Sequence, residues 1–66
     1  MNVIVNGTDQ QVADGTTVRS LLAGMNLRPE KVAVELNQKL LRSGQYDQAL
    51  KSGDKLEIVT FVGGGE

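Results

Sequence analysis

Lys55-Leu56-Glu57-Ile58-Val59-Thr60-Phe61-Val62 reads as a strand, and it runs directly into Gly63-Gly64-Gly65-Glu66. Successive side chains of a strand point to opposite faces, so Leu56 and Ile58 share one face and Glu57, Val59 and Phe61 the other. Three consecutive glycines cannot pack a core, and they lose more entropy on ordering than any other residue. Folding gives no reason for them. What they offer is a thin strip of backbone that can thread a narrow cleft and present a chain end. Four extended residues reach about 13 Å beyond the body, at roughly 3.3–3.6 Å each. The sequence therefore divides into a folded domain, residues 1–62, and a flexible C-terminal glycine tail, residues 63–66.

Working outward from that strand, the rest of the chain supplies its partners. Met1-Asn2-Val3-Ile4-Val5 predicts a first strand with Met1, Val3 and Val5 on one face, and Asn6-Gly7 is a strong type I′ hairpin signal. Gln10-Gln11-Val12-Ala13 is expected to return as a polar second strand, ended by Asp14-Gly15. Thr16-Thr17 offers a helix N-cap, followed by an apolar stripe at Val18, Leu21, Leu22 and Met25. Asn26 suits a left-handed C-terminal cap, and Arg28-Pro29 stops any continuation. Val32-Ala33-Val34-Glu35-Leu36 predicts a third strand with Val32, Val34 and Leu36 inward. Asn37-Gln38-Lys39 turns into a short fourth strand around Leu40-Leu41. Residues 43–52 read as irregular, anchored by Tyr46 and Leu50, before a turn at Ser52-Gly53-Asp54.

This order, ββαββ, predicts an α+β fold: a mixed sheet of four or five strands with one helix packed across it. One helix covers one face. If Leu56 and Ile58 meet the helix, Val59 and Phe61 stand on the uncovered face beside the tail, with Ile4 and Ala33 extending the patch. Such a patch is a docking surface. The competing reading makes these residues a satellite cluster beneath the 43–52 loop, and periodicity does not separate the two.

Composition excludes several function classes. The chain has 66 residues, no cysteine and no histidine. It therefore lacks disulfides, thiolate metal sites, the commonest general base and the commonest zinc ligand. Seven basic against eight acidic residues, with Tyr46 and Phe61 the only aromatics, argue against nucleic-acid binding. No apolar run approaches the ~20 residues of a membrane span, and residues 1–12 lack a signal-peptide pattern. The expectation is a soluble, cytoplasmic monomer. Ser20, Ser43, Ser52, the four threonines and Tyr46 have no evident activating base. Lys39, Lys51 and Lys55 flank turns, Asp47, Asp54 and Glu57 lack metal-ligand spacing, and Asp54 suits a turn. A resident active site is not expected, nor a bound cofactor or metal.

What remains is the chain terminus. An α-carboxylate is ionised at neutral pH and is a poor electrophile until activated, for example by adenylation. A terminal glycine suits that chemistry because no Cβ crowds the carbonyl. Residues 53–65, Gly-Asp-Lys-Leu-Glu-Ile-Val-Thr-Phe-Val-Gly-Gly-Gly, resemble the C-terminus of the ThiS family, the sulfur carriers of thiamine biosynthesis. Val5-Asn6-Gly7, Thr17-Val18 with Leu21-Leu22, and Val32-Ala33-Val34-Glu35-Leu36-Asn37 extend the resemblance over essentially the whole chain.

The resemblance implies a ubiquitin-like β-grasp fold and a protein cosubstrate rather than an enzyme. An E1-like enzyme would adenylate Gly65 with ATP, a sulfur donor would convert it to a thiocarboxylate, and a thiazole synthase would take the sulfur. Gly63 and Gly64 would line the partner channels, and Val59, Phe61 and Val62 would lie at the docking surface. Family members end at the glycine, whereas Glu66 follows here. Either Glu66 is extraneous and the native end is Gly65, or a peptidase must remove it from a pro-form. Two alternatives stand beside the thiamine reading. One is sulfur delivery to molybdopterin, cysteine or another metabolite. The other is a β-grasp interaction module without terminal chemistry.

Overall fold

Asn6 and Gly7, both at positive φ (50° and 83°), fold β1 (Asn2–Val5) back onto β2 (Thr8–Gln11). The structure, a computed structural model, describes residues 1–61. A two-residue loop leaves no slack, so pairing resumes at once with Val5 opposite Thr8. The second strand thus begins two residues before the expected Gln10 and ends at Gln11; Val12 donates its N–H to the Met1 carbonyl at 2.8 Å and accepts at its own carbonyl from the Met1 terminal amine at 2.6 Å.

The helix α1 (Val18–Gly24) starts at Thr17, whose hydroxyl accepts from the Ser20 N–H at 3.0 Å while Ser20 Oγ accepts from the Thr17 N–H at 2.9 Å. This reciprocal arrangement satisfies two donors that the first turn would otherwise leave unpaired. At the other end Asn26 adopts φ 60°. Its N–H reaches the Ala23 carbonyl, and the Leu27 N–H reaches that of Leu22. That pair of bonds is the Schellman arrangement, and it explains why Asn26 closes the helix.

After a 3₁₀ turn at Pro29–Lys31 come β3 (Val32–Leu36) and β4 (Lys39–Leu40), joined through Asn37 and Gln38, both at positive φ. A further 3₁₀ turn, Ser43–Gln45, leads through Tyr46 and Leu50 to β5 (Lys55–Thr60). The five strands lie in the order β2-β1-β5-β3-β4, with β5 parallel to β1 and antiparallel to β3. The α+β expectation of a mixed sheet with one helix is met.

Alternation places Val3, Val5, Val32, Val34, Leu36, Leu56 and Ile58 on one face, where they are buried with Val18, Leu21 and Leu22 of the helix. Tyr46 and Leu50 close this core from the side. Their loop is tied to the helix start by the Arg19 N–H to the Tyr46 carbonyl and the Leu50 N–H to the Thr16 carbonyl, both at 2.8 Å.

Leu22→Ala empties a fully buried site and should cost about 2–5 kcal/mol, read by chemical denaturation. In the same measurement Gln38→Gly should stabilise the fold by roughly 0.5–1 kcal/mol, because the left-handed strain relieved exceeds the added freedom of glycine in the unfolded chain.

Candidate functional site

The helix and the 43–52 loop share one side of the sheet, and the opposite side has no covering element among the described residues. Val59 and Phe61 stand on that open side, 60% and 56% exposed. Both are far too accessible to lie under a loop, so the satellite-cluster reading is overturned. Register decides their neighbours. Val59 is directly opposite the half-buried Ala33, and the Phe61 N–H donates to the Lys31 carbonyl at 2.9 Å. Ile4, also half-buried, lies on the same face of β1.

Two features of this face come from cross-strand pairing and not from any single strand. Glu57 lies directly opposite Glu35, and Glu35 directly opposite Leu40. Leu40 is 67% exposed, the most accessible large apolar residue described. The surface therefore grades from a carboxylate pair flanked by Leu40 to an apolar strip of Ala33, Val59 and Phe61. That strip lies nearest the last described residue, Phe61. Alternation alone turns Glu35 and Glu57 outward; their juxtaposition, and that of Leu40, comes from the register.

The last residues of β5 are held unequally. On one side β3 pairs with it as far as Thr60, while β1 matches it only at Lys55 and Leu56. The side chain of Asn6 then takes over. Its Oδ1 accepts from the Ile58 N–H at 2.7 Å and its Nδ2 donates to the Ile58 carbonyl at 3.1 Å. The hairpin signal identifies Asn6 as a turn residue, but this second role spans 52 residues of sequence.

Four of the groups weighed as catalytic have structural roles. Ser20 Oγ is engaged in the helix cap, and Tyr46 is buried in the core. Asp47 pairs with Arg19 at 2.8 Å. Asp54 accepts from the Lys51 N–H and from Asn37 Nδ2, the work of a turn residue. An open depression of about 330 Å³ lies between β2 and the helix, lined by Val12, Thr16, Ser20, Leu21 and Met25 among others. It has no titratable lining residue. Among the described residues there is no acidic cluster able to hold a metal, and no helix is long and apolar enough to cross a membrane. Val62, Gly63, Gly64, Gly65 and Glu66, named above as docking, channel-lining, modified and processed residues, lie outside the described residues.

A five-stranded mixed sheet grasping one helix, with an apolar strip at the C-terminal end of its central strand, defines a ubiquitin-like β-grasp protein. The sequence model of the ThiS family matches residues 3–65. A solved crystal structure of the thiamine biosynthesis protein ThiS from Geobacter metallireducens superposes with a TM-score of 0.80 at 38% identity, over 98% of this chain and 100% of that one. The sulfur carrier protein ThiS of Bacillus subtilis is 38% identical over 63 residues, 92% of this chain and 96% of that protein. A thiazole synthase of Magnetococcus marinus is 40% identical over 67 residues, which are 100% of this chain and 21% of the synthase. The chain thus spans about a fifth of the length of the thiazole synthases it matches. The chain belongs to the ThiS family.

If the open strip serves contacts with a partner and not folding, Phe61→Ala should leave the melting temperature within about 2 °C, since the ring is half exposed and few contacts are lost. Thermal denaturation monitored by circular dichroism checks this; a drop as large as that of Leu22→Ala would place the ring in the core.

Proposed function

We propose that this protein is a sulfur carrier that delivers sulfur for thiazole formation in thiamine biosynthesis, in the cytoplasm. The observation that carries the reading is the apolar strip of Val59 and Phe61 at the end of β5, immediately before Gly63-Gly64-Gly65. Exposed apolar surface of this kind marks a protein contact, and the glycines after it can enter a channel too narrow for side chains.

The chemistry starts at Gly65. The carboxylate attacks the α-phosphate of ATP in the active site of an E1-like enzyme, forming an acyl adenylate and releasing pyrophosphate. A sulfur donor then displaces AMP, and one carboxyl oxygen is replaced by sulfur. The resulting thiocarboxylate gives its sulfur to the thiazole synthase. The carrier contributes no acid, base or metal to these steps; it contributes a docking surface and an uncrowded carbonyl. Similarity to thiazole synthases that contain a stretch matching 98–100% of this chain supports that enzyme as the customer.

Gly65 must first be freed, because its carbonyl is held in an unreactive peptide bond to Glu66. Removal by a peptidase accounts for this, and the chemistry then begins on the shortened chain. Incubation of a chain ending at Gly65 with ATP, the adenylating enzyme and a sulfur source should raise its intact mass by about 16 Da, the exchange of one oxygen for sulfur. The 66-residue chain should stay unmodified until the peptidase is added. Equal thiocarboxylate yield from both forms would remove the processing step. An interaction module without terminal chemistry would keep its function on deletion of residues 64–66, whereas a carrier loses it. Gly64→Ala should slow activation without shifting the melting temperature, because a Cβ crowds the channel.

A further inference from the structure

We infer that the side chain of Asn6 is a positioning residue for the activation of the C-terminus, acting as a one-residue substitute strand that fixes the direction in which β5 leaves the domain. The role rests on the carrier reading above.

The need for it comes from the topology. Between Lys55 and Leu56, β5 is held on both sides, by β1 in parallel and by β3 in antiparallel. The first hairpin then turns away at Asn6 and Gly7, so β1 cannot follow β5 any further. Without another partner, the segment from Ile58 onward would be an edge strand attached on the β3 side alone. Asn6 bridges the gap in two ways. Its backbone N–H donates to the Leu56 carbonyl at 2.9 Å, and its carboxamide pairs with both the N–H and the carbonyl of Ile58. A carboxamide carries the same donor and acceptor as a peptide group, so it continues the ladder by one rung where the backbone cannot. Only Asn does this and also accepts the φ of 50° that the turn requires.

That rung lies at the base of the segment bearing Val59 and Phe61 and leading to the tail. The rung fixes the placement of Val59 and Phe61, the contact from which a chain end up to about 13 Å away is presented, so a shift at this base carries over to the docked geometry. Misplacement by even about 1 Å is costly when a nucleophile must meet an electrophile in a fixed geometry. Asn6 contacts no reacting atom; it acts through Ile58.

Asn6→Gly is the clean test, because Gly-Gly also accepts a type I′ turn and only the carboxamide is lost. Asn6→Asp keeps the acceptor for the Ile58 N–H and loses the donor. Thr17→Ala removes the helix cap, lowers stability and leaves the rung intact, so it controls for loss of stability alone. The chains, each ending at Gly65, are assayed by ATP–pyrophosphate exchange with the adenylating enzyme at a temperature where all are folded. Amide hydrogen exchange is followed in parallel by NMR.

For Asn6→Gly, kcat/KM toward the carrier should fall roughly three- to tenfold, and the Ile58 amide should exchange about tenfold faster, as expected for two lost hydrogen bonds. The Val59 amide, which faces β3, should keep its wild-type rate. Asn6→Asp should fall between, and Thr17→Ala should match the wild type in kcat/KM. An unchanged Ile58 amide, an Asn6→Gly value within about twofold of wild type, or an equal loss in Thr17→Ala would each overturn the inference. Failure of the wild-type chain to support any exchange would remove the carrier reading and this role together. Normal turnover by both wild type and Asn6→Gly removes only the role of Asn6.

Discussion

Pairing of β5 on both sides is the constraint on which the rest of the structure depends. The last strand in sequence sits in the middle of the sheet, against β1 and β3, and its two buried residues, Leu56 and Ile58, belong to the core. A C-terminal strand inserted centrally is bonded to the hairpin on one side and to β3 on the other. Its first half, held on both sides, is the part of the strand least able to fray; from Ile58 onward it is held by β3 and the Asn6 side chain.

The open face follows from dimensions. Seven helical residues give a helix of about 10 Å, while five strands span about 19 Å at their usual spacing. One short helix cannot cover even its own side, and Tyr46 and Leu50 from the irregular segment complete that layer. Nothing is left among the described residues to cover the second face. A domain this small buries only about 60% of its unfolded surface, so large apolar side chains left outside are a real loss of stabilising area. Val59, Phe61 and Leu40 are outside all the same. No packing among the described residues accounts for their exposure.

Much of this is legible in the sequence because it is local. Period two in Val32–Leu36 and Lys55–Thr60, the Asn6-Gly7 turn, the Thr17 cap and the Asn26 cap each depend on residues within a few positions of one another. The start of β2 is harder to read. Its first residues, Thr8 and Asp9, are polar on both faces of an exposed edge strand and leave no hydrophobic phase to follow. Periodicity does not choose between an open patch and a covered one at Val59 and Phe61 either. That choice depends on which side of the sheet the 43–52 loop crosses, and the loop sequence does not encode the side. The Glu35–Glu57 pair and the Asn6–Ile58 bonds are likewise products of strand order and register.

These two long-range features oppose each other energetically. Like charges directly across a strand pair weaken the β3–β5 interface, by a few tenths of a kcal/mol to about 1 kcal/mol. Two bonds from Asn6 to Ile58 strengthen the other edge of the same strand by about 1–3 kcal/mol in total, if each is of ordinary strength. The hydrogen bonds outweigh the repulsion. β5 can therefore carry an acidic, solvent-facing surface beside its apolar strip and still hold its place in the sheet. Val59, Phe61 and Leu40 stay outside the core, and the strand is held by its backbone partners and Asn6.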